Sequence, residues 1–123
     1  MTARRRILVV DDQEDNRRIL RDLLTSAGFE VIEATTGEEA VAQAEAHVPD
    51  LILMDIQLPG IDGYEATRRI KGNPALRAIP LIVVTSYALS GDETKALAAG
   101  ADAYVSKPFS PRALLAKVRE FLP

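Results

Sequence analysis

Four apolar stretches of this chain each end abruptly in polar residues. Ile7 to Val10 runs into Asp11 and Asp12, Leu51 to Met54 into Asp55, Leu81 to Val84 into Thr85 and Ser86, and Ala103 to Ser106 into Lys107 and Pro108. Laid side by side as strands of one sheet, these stretches would gather three carboxylates, hydroxyls and one ammonium at one end. Adjacent carboxylates repel one another, and a single lysine offsets only one charge. A hard divalent cation would offset the rest, and an all-oxygen donor set suits Mg2+ (or Mn2+). Mg2+ held in this way binds phosphate oxygens, and an aspartate can itself be a nucleophile that becomes an acyl phosphate. Asp55, between the acidic pair and the Thr85 and Lys107 positions, is the candidate nucleophile. Mg2+ and Lys107 would neutralise the transferring phosphoryl group, and Thr85 could donate its hydroxyl to a phosphoryl oxygen. The competing reading makes these aspartates helix caps and turn formers, which fits Asp12, as cap of the first helix, but not all three.

The elements that must position these residues alternate along the chain. The runs at 7–10, 51–54 and 81–84 are short, continuously apolar and β-branched, as strands buried on both faces are. Glu30 to Ala34 and Ala103 to Ser106 read as weaker, edge strands. Between them, Ile19, Leu20, Leu23, Leu24 and Ala27 form an apolar stripe that Gly28 is placed to terminate. Thr36-Gly37-Glu38-Glu39 and Ser90-Gly91-Asp92-Glu93 fit capping boxes, and Ser110-Pro111 fits N-cap and N1 of a last helix. Five βα units in series predict an α/β fold, a flavodoxin-like doubly wound (βα)5 with a five-stranded parallel sheet in the order 2-1-3-4-5. Ligands of such sheets sit beyond the carboxyl ends of the strands, where the strand order reverses.

Length and composition narrow the class. The chain has 123 residues, 47% hydrophobic and 27% charged, with a net charge of −3 and no cysteine. This predicts a single domain over 1–123 and excludes thiolate chemistry and disulfides. The mildly acidic balance disfavours a polyanionic partner, so direct nucleic-acid binding is not expected. No apolar run approaches a membrane span, and the run after Arg4-Arg5-Arg6 ends too soon for a secretory leader. The expectation is a cytoplasmic protein with residues 1–5 as a flexible tail. His47 stands alone and reads as a surface residue, which argues against a phosphohistidine carrier.

Val9-Val10-Asp11-Asp12, the stretch Leu53 to Gly63, Val84-Thr85-Ser86 and Ser106-Lys107-Pro108-Phe109 together resemble the receiver domain of two-component response regulators, in order and over essentially the whole chain. The resemblance implies a role for each matching residue. Asp55 is the phosphoacceptor. Asp12, Asp55 and the Gln57 backbone carbonyl are the metal ligands, and Asp11 acts through water. Thr85 and Lys107 bind the phosphoryl oxygens, Thr85 and Tyr104 form the switch, and the Lys107–Pro108 bond is cis. Gln57 and Tyr87 flank the path of hydrolytic water, so a bulky Tyr87 is expected to lengthen the life of the acyl phosphate. Pro59-Gly60 and Gly63 shape the loop that presents the Gln57 carbonyl, and the small Ser86 leaves Asp55 approachable.

The expected function is a phosphorylation-activated signalling switch that catalyses only its own phosphorylation and dephosphorylation. Its donor is a sensor histidine kinase or histidine phosphotransfer protein, met in part through a basic first helix bearing Arg17, Arg18 and Arg21. Its output is a changed surface at the fourth helix, fifth strand and fifth helix, read by a downstream protein, with the chain a monomer or a weak phosphorylation-dependent dimer. The small residues from Leu97 to Ala101 would let that surface shift. The chain stops after the fifth helical pattern, so a stand-alone receiver acting by protein contact is expected, unless an output segment has been trimmed away. An Mg2+-dependent phosphatase would need a second acid two residues past the nucleophile, where Gln57 stands. A flavin or nucleotide carrier would be repelled by Asp11 and Asp12 and lacks a phosphate loop. A docking module indifferent to phosphate would leave the four motifs without purpose.

Overall fold

Strands buried on both faces can be apolar throughout because helices cover each side, and the central strands here are built that way. The computed structural model describes residues 4–85 and 92–123. Its elements alternate: β1 (Arg6–Val10), α1 (Glu14–Ser26), β2 (Glu30–Ala34), α2 (Gly37–His47), β3 (Leu51–Asp55), α3 (Gly63–Lys71), β4 (Leu81–Thr85), α4 (Asp92–Ala98), β5 (Ala103–Ser106) and α5 (Pro111–Phe121). The sheet order is β2-β1-β3-β4-β5, with each neighbouring pair parallel. This is the predicted flavodoxin-like fold.

Alternation within each strand divides the core into two layers. Leu8, Val10, Ile52, Met54, Leu81 and Val83 face α2, α3 and α4, meeting Ala40, Ala44, Ala66, Ile70 and Ala96. Ile7, Val9, Leu51, Leu53, Ile82 and Val84 face α1 and α5, meeting Leu20, Leu24, Leu114 and Val118. The alanines let α2 and α3 lie close to the sheet. The edge strands are less buried, as their weaker patterns predicted.

Helix ends follow local chemistry. The hydroxyls of Thr36 and Ser110 accept from the N–H groups of Glu39 and Ala113, each at 3.0 Å, and Pro111 opens α5. The Glu39 carboxylate accepts from the Thr35 N–H at 2.6 Å, so that capping box closes one residue upstream of Thr36. Gly28 follows α1 with φ 97°, the left-handed conformation expected of it. The Ser90 and Gly91 half of the second box lies outside the described residues. Of the expected tail, Arg4 and Arg5 are exposed, and the Arg5 carbonyl accepts from the Glu30 N–H at 2.9 Å. His47 is exposed, and its carbonyl accepts from the Arg6 guanidinium at 3.0 Å.

Candidate functional site

Asp55 and Thr85 are the last residues of β3 and β4 rather than the first beyond them, with Asp55 opposite Val84 and Thr85 opposite Ser106. The ladder therefore fixes both backbones. Asp11 and Asp12 follow β1 directly, and one carboxylate oxygen from each of Asp11, Asp12 and Asp55 lies within 4.8 Å of the other two. Asp11 and Asp55 are 2% and 7% exposed and Thr85 1%, while Asp12 is exposed. Lys107 reaches in from the end of β5, its Nζ 3.2 Å from Asp11 Oδ2 and 3.7 Å from Asp55 Oδ1. The Lys107–Pro108 peptide is cis, and the Lys107 N–H donates to the Thr85 carbonyl at 2.6 Å.

Asp11 is held at every polar point. Its N–H donates to the Ala34 carbonyl at 3.1 Å, and its carbonyl accepts from Arg17 Nη1 at 2.8 Å. Its Oδ1 accepts from the Gln13 N–H at 2.9 Å, and its Oδ2 from Lys107. Gln13, without a side-chain cap bond, is the N-cap of α1, so the alternative reading of Asp12 as that cap fails. The bond from Gln13 to Asp11 turns the chain early and leaves Asp12 facing solvent beside the cluster.

The loop after β3 depends on Gly63, whose N–H donates to the Ile56 carbonyl at 2.8 Å. A Cβ there would fall 2.1 Å from the Asp55 carbonyl oxygen. Gly60 turns the loop with φ 77°, and Asp62 caps α3 by accepting from the Glu65 N–H at 2.9 Å. A cavity of about 380 Å³ opens over the cluster, lined by Asp12, Gln13, Asn16, Asp55, Gln57 and Lys107. A second, of about 330 Å³ and more apolar, adjoins it between α1 and the loop after β5, with Ile19, Leu20, Pro108 and Phe109 in its walls.

Burial pushes the Asp55 carboxyl up to about 6, and the Asp11 charge pushes the same way. The Lys107 ammonium and the backbone N–H groups of Gln57 and Ile56 oppose both. Burial is the larger cause and the neighbouring carboxylate the lesser, and a cation would favour the charged form against both. A donor set made wholly of oxygen fits a hard divalent ion.

Tyr104, in β5 opposite Val83, is half-buried and packs against the layer that holds Ala96 and Ala101. Ser86 and Tyr87 lie outside the described residues. Of the three arginines of the basic first helix, Arg18 is exposed and Arg21 half-buried, while Arg17 is turned inward. Arg17 is buried and bonded to Asp11, Glu14 and Glu33, Arg21 pairs with Glu33 at 2.9 Å, and Arg18 lies 3.6 Å from Asp15. Sequence reasoning had also passed over Gln13 and Asn16, both of which line the cavity. Their place directly after the acidic pair, at the start of α1, was the available signal.

The response regulator receiver domain family profile matches residues 7–119. The chain is 42% identical over 116 residues to the polar-differentiation response regulator DivK of Brucella ovis, covering 94% of each. A response regulator structure from Chloroflexus aurantiacus superposes with a TM-score of 0.93 at 34% identity, covering 98% of each chain. The receiver domain of sensor histidine kinase PA1611 from Pseudomonas aeruginosa, solved with a magnesium ion coordinated in its active-site cleft, superposes with a TM-score of 0.90 at 38% identity, again over 98% of each. With the carboxylate cluster at the sheet's carboxyl end and likeness along nearly its whole length, the chain belongs to the response regulator receiver domains of two-component signalling.

Proposed function

We propose that this chain is a single receiver domain, spanning 1–123, that is switched by phosphorylation of Asp55. The observation that carries the reading is three carboxylates within 4.8 Å of one another at the sheet's carboxyl end, with the Lys107 ammonium 3.7 Å from Asp55. Asp12, Asp55 and the Gln57 carbonyl would hold Mg2+ (or Mn2+), with Asp11 acting through water, and the ion would offset the charge of carboxylates and phosphoryl oxygens. An Asp55 carboxylate oxygen attacks the phosphorus of a phosphohistidine. The phosphorus–nitrogen bond breaks, its electron pair stays on the imidazole, and Asp55 becomes an acyl phosphate. Lys107 and Thr85 receive the phosphoryl oxygens, and water later returns the carboxylate.

The donor is a histidine kinase or phosphotransfer protein, and the apolar cavity walled by Ile19, Leu20, Pro108 and Phe109 offers it an anchorage beside Asp55. Arg17 is turned into the protein, while Arg18 stays exposed on α1, so the contact combines this apolar wall with a basic flank. In the phosphorylated state Thr85 draws toward the phosphoryl group, Tyr104 turns inward, and the face of α4, β5 and α5 changes for a downstream protein. The protein works in the cytoplasm as a monomer or a phosphorylation-dependent dimer, without a nucleic-acid or membrane partner of its own. No described helix is long and apolar enough to cross a membrane. Gln57 and Tyr87 set the acyl-phosphate lifetime, so Tyr87→Ala speeds its decay, and an unchanged rate removes Tyr87 from this role. The principal test is incubation with Mg2+ and a small acyl-phosphate donor, read by intact mass. The wild-type chain gains one phosphoryl group, and Asp55→Asn or added chelator abolishes the gain. Equal labelling of Asp55→Asn would refute the assignment.

A further inference from the structure

We infer that Arg17 is a positioning residue for the acidic pair, holding the peptide between Asp11 and Asp12 so that the Asp12 carboxylate stays aimed at the cluster. The inference rests on the Mg2+ site proposed above and adds a residue to it. Arg17 is only 9% exposed, and burying a guanidinium is costly unless each side of it is paired. Here all three nitrogens are engaged: Nε with Glu33 at 3.2 Å, Nη2 with Glu14, and Nη1 with the Asp11 carbonyl at 2.8 Å. Glu33 is held in turn by Arg21, so the guanidinium is anchored to β2 and cannot swing away.

One of those bonds ties α1 to β2 and one stays within α1, but the third ends on the site itself. The Asp11 N–H is already fixed on Ala34, so the bond to its carbonyl pins the second side of the residue and sets where the chain carries Asp12. Asp12 is exposed at the first bend after β1 and gains no aim from packing. A planar fork with three separate partners can hold that peptide against the sheet, which a lysine's point charge cannot.

Positioning and plain electrostatics predict opposite signs. A positive charge on the Asp11 carbonyl repels a metal ion, so by charge alone its removal tightens Mg2+ binding. If Arg17 positions, its removal loosens Mg2+ by about 10-fold, the lower end of what loss of an outer-shell partner costs. The experiment measures the Mg2+ dissociation constant by titration calorimetry on the full chain for wild type, Arg17→Met and Arg17→Gln, and amide hydrogen exchange without metal. Arg17→Gln, which keeps a polar side chain but not the three-way fork, serves should Arg17→Met not fold. The expected result is weaker Mg2+ binding in both folded variants, with faster exchange at Asp12 and Gln13 and unchanged protection at Leu8 and Val9. Unchanged or tightened Mg2+ binding overturns the inference, as does unaltered exchange at Asp12 and Gln13. An Asp12→Asn control separates the two claims. Wild-type binding that ignores Asp12→Asn sinks the metal site, and the exchange arm still decides whether Arg17 holds the peptide.

Discussion

Asp55 carries its proton to about 6, well above the ordinary value of 3.8, because it is buried beside Asp11. A carboxyl whose folded value is raised binds protons more tightly folded than unfolded, so the metal-free protein loses stability as pH rises from about 4 through 6. Asp55→Asn removes that penalty. Urea unfolding at pH 7 without metal is expected to show the variant more stable by roughly 1–3 kcal/mol, with the gap closing near pH 4. Mg2+ reverses the sign, so its affinity falls as pH drops through 6, and carboxyl NMR of Asp55 with and without the ion measures both effects. Lys107→Met, which removes an opposing charge, moves the Asp55 midpoint above that of wild type. Asp11, Asp12, Asp55, Thr85 and Lys107 were legible in the sequence because each interrupts or ends an apolar run, a signal that needs no knowledge of packing. Arg17 was not, since a charged helix residue reads as solvated until its partners Glu33 and the Asp11 carbonyl are brought to it from 16 and 6 positions away.

Individual elements expose where backbone geometry serves the site and where it does not. Gly28 and Gly63 both tolerate alanine poorly, for different reasons. At Gly28 the added Cβ meets nothing within 4 Å and only the positive φ of 97° resists, so Gly28→Ala is expected to cost about 1 kcal/mol. At Gly63 the Cβ meets the Asp55 carbonyl oxygen and the Ile56 Cα at 2.1 and 2.7 Å, both backbone, so Gly63→Ala should cost roughly 3 kcal/mol or more and distort the loop beyond Asp55. Denaturant midpoints of the two variants, with phosphoryl acceptance assayed in parallel, check the contrast. Val48 is exposed and left-handed at φ 43°, a conformation that a β-branched residue resists, so Val48→Asn is expected to stabilise by about 1 kcal/mol without touching phosphorylation. The apolar stripe of α1 was found in the sequence but slightly mis-centred. Arg17, Leu20 and Leu24 are its buried line at spacings of three and four, while Ile19 is 55% exposed beside the second cavity. An apolar periodicity locates a helix face to within one neighbouring row, and only the sheet decides which row is central.

Across the whole molecule, function follows from topology. The order β2-β1-β3-β4-β5 puts the reversal of the chain between β1 and β3, so Asp11, Asp12 and Asp55 meet at the switch point while Thr85 and Lys107 approach from the β4 side. Moving such a domain from 1:99 to 99:1 takes about 5.5 kcal/mol of differential stabilisation, which two to three charge-assisted bonds to a phosphoryl group can supply. In the proposed switch Lys107 and Thr85 would make them. The fold order was legible because alternating apolar runs and capped helices leave few right-handed solutions, whereas the two core layers emerge only once strands and helices are in contact. One carboxylate of the three is predicted to become the acyl phosphate. Borohydride reduction of the phosphorylated chain converts an aspartyl phosphate to homoserine, which peptide mass mapping then places. Homoserine at position 55 alone is the predicted result, and conversion at Asp11 or Asp12, or none in a chain that has gained a phosphoryl group, would contradict it.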